Sequence, residues 1–92
     1  MAIGVYFRSG SMTADQYDEV VKVLEAAGCA QAPGRVLHCC YGPADDLATF
    51  DIWESSEAFE EYGKKIMPVF QKFGLENVPL QVLPIHHMVQ PS

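Results

Sequence analysis

The stretch that most constrains this chain is Leu47–Phe59, where an alternating apolar strand ends on the only tryptophan and turns through two serines into a helix. A strand points successive side chains to opposite faces. Phe50 and Ile52 therefore share one face, and Thr49, Asp51 and Trp53 share the other. The first set reads as plain core. The second carries a hydroxyl, a carboxylate and an indole, and it is where a functional site is expected.

The flanking segments supply the rest of an α+β domain. Ala2–Phe7 is a short apolar run closed by Ser9-Gly10-Ser11, a first strand buried on both faces. Thr13 through Gln16 has the pattern of a capping box, after which Tyr17, Val20, Val21, Leu24 and Ala27 form one apolar helical stripe up to Gly28, a C′ residue. Pro33-Gly34 signals a turn, Arg35–Tyr41 a second strand, and Gly42–Asp46 a tight connection into the third strand, so these two strands are antiparallel. A second helix starts from Ser55 or Ser56 with Phe59, Tyr62, Ile66, Val69 or Phe70, and Phe73 as its buried stripe. Pro68 predicts a kink or restart, and Gly74 ends it. Leu80–Val89 reads as the last strand, with Pro84 confining it to an edge or bulge. Gln90-Pro91-Ser92 reads as a tail.

The order βαββαβ defines a ferredoxin-like fold: a four-stranded antiparallel sheet with two helices on one face. In 92 residues it makes a single domain, 1–92, whose other sheet face needs a partner, most simply a second copy in a two-fold homodimer. By this reading the decorated face of the third strand is the uncovered one, and Thr49, Asp51 and Trp53 look into a pocket that the dimer encloses.

Charge and cysteines narrow the function. A net charge of −6 with no basic cluster argues against nucleic acid or an anionic membrane surface as partners. Lys64 and Lys65 sit among Glu57, Glu60 and Glu61, a solvated helix face. Cys29, Cys39 and Cys40 have no metal-ligand spacing, and an odd count suits a reducing compartment. With no signal-peptide pattern and no apolar run of about 20 residues, the chain reads as cytoplasmic.

Asp51-Ile-Trp-Glu-Ser-Ser-Glu-Ala-Phe59, supported by Gly34–His38 before it and Leu83-Pro-Ile-His86 after it, resembles the dimeric α+β barrel superfamily across essentially the whole chain. The antibiotic-biosynthesis-monooxygenase-like small proteins are the branch it is most similar to. The resemblance implies a homodimer with a pocket in each protomer. It also implies cofactor-independent oxidation of polycyclic phenols, haem degradation or lactone isomerisation as the range of activities. The haem-degrading branch has an Asn on the first strand, a Trp on the third and a His on the second helix. Trp53 matches, but the first strand has no Asn and the second helix has Tyr62, Gly63 and Lys64 where the axial His would stand. Haem is rejected on that ground, and no cofactor is expected.

Among individual residues, His38 and His86 are mid-strand histidines that need polar partners, and Asp51 is the natural one. His86 is expected on the parity of Val82 and Pro84, with Leu83 and Ile85 toward the helices. A His oriented by Asp51 has the makings of a general base. His38, Asp51 and His86 are the candidate catalytic residues, and Trp53, Tyr6, Thr49 and Tyr62 the candidate substrate-binding ones. The face that His38 occupies turns on hairpin register, which one residue of slip would reverse. Two His and one Asp are nominally a metal set, but their non-local spacing gives no reason to expect a metal. Arg8 is expected in a surface ion pair, and Cys39 and Cys40 as small core residues. The chain reads as a small-molecule pocket protein resembling cofactor-independent monooxygenases and taking a small aromatic or polyketide-like compound. The alternative is a non-catalytic ligand-binding or structural homodimer.

Overall fold

The computed structural model describes residues 1–91, so that Ser92, the end of the expected tail, lies outside the described residues. The elements follow in the expected order: β1 (Ile3–Arg8), α1 (Ala14–Ala26), β2 (Arg35–Tyr41), β3 (Ala48–Trp53), α2 (Ser56–Lys72) and β4 (Leu80–Pro84). The strands form one antiparallel sheet in the order β2-β3-β1-β4, so the two central strands are β1 and β3.

Local chemistry places each boundary. Thr13 Oγ1 accepts from the Gln16 N–H and Ser55 Oγ from the Ala58 N–H, capping the two helices. Gly28 and Gly74 follow the C-caps with positive φ, the left-handed exit that glycine makes without a Cβ penalty. Pro33 and Gly34 form a turn closed by the Arg35 N–H on the Ala32 carbonyl, with Gly34 at φ +87°. The helix α2 runs through Pro68 without a break, contrary to the expected kink or restart. Pro68 and Lys64 are both exposed, so the carbonyl that loses its partner lies on the solvent side, where water can satisfy it.

Two expectations about faces are corrected. The register pairs Ile3 with Trp53, Val5 with Asp51 and Phe7 with Thr49, so all six side chains share a face. That face is the one beneath the helices: Ile3, Val5 and Trp53 pack with Tyr62 and Cys29, and Phe7 packs with Val20 and Val69. Thr49, Asp51 and Trp53 therefore look inward at α1 and α2, not out across an uncovered sheet. Burial of the indole and of the β1 aliphatics outweighs the two polar groups in choosing the covered side. The open face carries Gly4, Tyr6, Phe50 and Ile52, and also Leu83 and Ile85, which do not face the helices as expected. Gly4 pairs with Leu83, and a Cβ on Gly4 would stand 3.1 Å from both Ile85 Cδ1 and Phe50 Cζ.

The last strand is shorter than expected. It ends at Pro84 opposite Ile3, followed by one further bond from the Ile85 N–H to the Ala2 carbonyl. Beyond Ala2 there is no β1 left to pair with, so Arg8 does form a surface ion pair, with Asp46 of the β2–β3 turn. Cys39 is exposed rather than a core residue, whereas Cys29 is buried.

The buried side chains fall into two clusters, one around Trp53 and Tyr62 and the other around Phe7, Val20 and Val69. A domain of this size ordinarily has one contiguous core. Here a cavity lies between the two halves, lined by members of both.

Candidate active site

The cavity has a volume of about 320 Å³ and lies between the sheet and the two helices. Protein interiors are close-packed, so a space of this size, at the small end of the range for ligand pockets, marks a binding site for a small molecule. Its walls are largely apolar, from Val5 and Phe7 on the sheet to Leu24, Ile66 and Phe70 on the helices. The polar groups that reach it are Tyr17, Arg35, His38, Thr49, Asp51 and Trp53.

Three of these form a continuous chain. His38 and Asp51 are directly opposed across β2 and β3, with His38 Nδ1 2.5 Å from Asp51 Oδ1. On the other side of the imidazole, Tyr17 Oη of α1 lies 2.7 Å from Nε2, with the two rings nearly parallel at 9°. The His38 and Asp51 side chains are 30% and 18% exposed, so the pair is mostly withdrawn from water and still reachable by it. Burial raises the Tyr17 phenol above its ordinary value, with the nearby Cys40 and Asp51 adding to the effect. Tyr17 therefore stays a neutral hydroxyl at physiological pH.

The register that decides the face of His38 depends on a bulge. Arg35 opposes Trp53 and Leu37 opposes Ile52, leaving Val36 as the extra residue. Residues three apart cannot share a face of a regular strand. The bulge brings Arg35 and His38, spaced by three, to the same cavity wall. The Arg35 guanidinium then lies 5.9 Å from the centre of the Trp53 ring and 5.5 Å from that of Tyr62, a cation over two aromatic faces.

Trp53 is the largest fully buried side chain, 1% exposed, against Phe59 and Tyr62 with ring centres 5.9 and 5.3 Å away. Its Nε1 is buried and has no hydrogen-bond partner among the described residues. The Tyr62 hydroxyl, by contrast, donates to the Cys29 carbonyl at 3.0 Å, and burial raises its pKa.

Of the residues singled out from sequence, His38, Asp51, Thr49, Trp53 and Tyr62 gather at this cavity. Two do not. Tyr6 points to the open face, in register with Phe50 and Gln81, and His86 lies beyond the end of β4. Two residues not singled out also contribute. Tyr17 belongs to an otherwise aliphatic helix stripe, and its hydroxyl was the only hint. Arg35 is hidden by the bulge, which no pattern in the sequence announces. Among the described residues, no three His, Cys, Asp or Glu side chains converge to hold a metal ion.

Fold and cavity together define a two-layer ferredoxin-like protein with an acid–base chain at an internal pocket. No protein-family model and no curated protein matches the sequence. Solved structures do match, and they place the chain in the fold of the antibiotic-biosynthesis-monooxygenase-like proteins. One is a variant of SnoaB, a cofactor-independent oxygenase from Streptomyces nogalater, with a TM-score of 0.69, 14% identity and 98% of each chain covered. A candidate antibiotic biosynthesis monooxygenase from Caulobacter crescentus has a TM-score of 0.70 and 16% identity over 94% of this chain and 91% of its own. Another, from Chloroflexus aurantiacus, has a TM-score of 0.67 and 13% identity over 98% of both.

Proposed function

We propose that the protein is a homodimeric pocket protein that binds a small, flat aromatic or polyketide-like molecule and acts on it by proton transfer or oxidation without a cofactor. His38 is the base and Asp51 orients it. The observation that carries this is the Tyr17–His38–Asp51 chain opening onto an apolar cavity. A carboxylate on Nδ1 selects one tautomer and stabilises the imidazolium that proton uptake creates. The fold shared with SnoaB, a cofactor-independent oxygenase, supports the same reading.

The dimer is supported by the open sheet face, where Leu37, Tyr41 and Leu83 are 42%, 50% and 57% exposed beside Phe50 and Ile52. A stable interface covers about 800 Å² per partner, and an apolar sheet face is the natural surface for it. No helix among the described residues is long and apolar enough to cross a membrane. Three free thiols suit the cytoplasm.

Native mass spectrometry of the purified protein, with His38→Ala alongside, tests the reading. A co-purifying small molecule and a turnover that His38→Ala abolishes are the expected results. Turnover unchanged in both His38→Ala and Asp51→Ala would leave only a binding or structural role. A clean monomer by light scattering at micromolar concentration would remove the dimer.

A further inference from the structure

The hydrogen-bond chain has a direction. An ionised carboxylate only accepts, so the proton between Asp51 and His38 belongs to Nδ1, and Nε2 carries the lone pair. Tyr17 Oη, 2.7 Å from Nε2, is then the donor. The basic nitrogen of His38 is thus already occupied by a protein hydroxyl. A substrate in the cavity reaches the Tyr17 oxygen, which keeps acceptor capacity of its own, without displacing anything. A second observation is independent of this chain: Trp53, on the same cavity, has a buried Nε1–H with no partner among the described residues. A buried unsatisfied donor is costly, and a ligand oxygen is the acceptor it lacks.

We propose that Tyr17 is the catalytic residue that takes the substrate's proton, relaying its own to His38, while the substrate's oxygen accepts from Trp53 Nε1. This rests on the reading of His38 and Asp51 as an acid–base pair. For a carbonyl compound with an acidic neighbouring C–H, the C–H bond breaks and its proton bonds to Tyr17 Oη. The Oη–H bond breaks in the same event and its proton bonds to His38 Nε2. The C–H electron pair becomes the C=C bond of the enolate, and the carbonyl π pair moves onto the oxygen held by Trp53. The imidazolium is stabilised by Asp51, and the reverse transfer restores every group. Nothing is oxidised or reduced. The 30% exposed His38 side chain exchanges its proton with solvent between cycles.

Deuterium incorporation into 2-tetralone in D2O, followed by mass spectrometry, reads this step directly, and quenching of the single Trp53 reports binding. The wild type incorporates deuterium faster than buffer. Tyr17→Phe keeps the fold and the tetralone affinity but slows incorporation by about 100-fold or more, the range of a general acid–base group, and His38→Gln does the same. Incorporation by Tyr17→Phe within about threefold of wild type, with His38→Gln inactive, overturns the relay and leaves His38 as the direct base. If the wild type is no faster than buffer, the acid–base reading and the relay fall together. A measurement on the unmodified protein guards against a folding defect in the variants. At a pH where the imidazole is neutral, its 15N shifts should show His38 protonated on Nδ1, and protonation on Nε2 instead overturns the proposal.

Discussion

Replacing Trp53 by Phe tests the site through stability. The side chain is 1% exposed and packed on two aromatic rings, a setting in which truncation normally costs several kcal/mol. Phe removes about 40 Å² of buried surface, worth about 1 kcal/mol. The space left behind, about 40 Å³, costs a further ~1 kcal/mol at about 24 cal/mol per Å³. Against these stands the indole N–H, buried without a partner, whose removal returns about 1–3 kcal/mol. The contributions nearly cancel, so Trp53→Phe should lie within about 1 kcal/mol of wild type, whereas Trp53→Ala should cost about 3–5 kcal/mol. Urea unfolding followed by far-UV circular dichroism measures both, with an unchanged m-value certifying the comparison. A loss above about 3 kcal/mol for Trp53→Phe would mean that Nε1 is bonded, and the argument for a ligand oxygen there would go with it.

Other outcomes follow from single contacts. Gly34→Ala forces a non-glycine residue to φ +87° with its Cβ 2.6 Å from that of Ala58, and should cost at least about 2 kcal/mol in thermal or denaturant unfolding. Asp51→Asn lets an amide N–H face Nδ1 and reverse the tautomer; tetralone exchange should fall by about 100-fold or more while the melting temperature moves only a few degrees. Burial raises both Tyr17 and Tyr62, so the stability they contribute is fully present below the unfolded phenol value of about 10 and is lost as pH rises through their folded values. A phenolate titration at 295 nm should show late-ionising groups that Tyr17→Phe and Tyr62→Phe each reduce. Ser55→Ala, which leaves the Ala58 N–H without its cap, should cost about 1 kcal/mol.

Much of this molecule was legible in its residues, and the parts that were not share one cause. Element order, both N-caps, the Pro33-Gly34 turn and the glycine exits at 28 and 74 are local events, decided within a few residues. Parity on the third strand also held, since Thr49, Asp51 and Trp53 do act together. Parity divides a strand into two faces without saying which one the helices cover. That choice was made by Ile3, Val5 and Phe7 on another strand, and it went against the polarity of Thr49 and Asp51. His86 was misplaced for a similar reason: whether a strand continues depends on whether its neighbour still has residues to pair with. The bulge at Val36 and the meeting of Tyr17 with His38 are contacts across elements, and no local pattern encodes them.

The two halves of the proton chain stand on unequal footings. Asp51 and Trp53 ride on β3, clamped between β1 and β2, whereas His38 rides on β2, an edge strand hydrogen-bonded along one side only. Edge segments open at lower free energy than strands held on both sides. Fraying of β2 would carry the histidine away from its carboxylate while the rest of the sheet stayed intact. On warming, chemistry should therefore fade several degrees before the fold does, and anything that seals that margin of the sheet, such as a neighbouring chain, would extend the working range of the enzyme without touching its cavity.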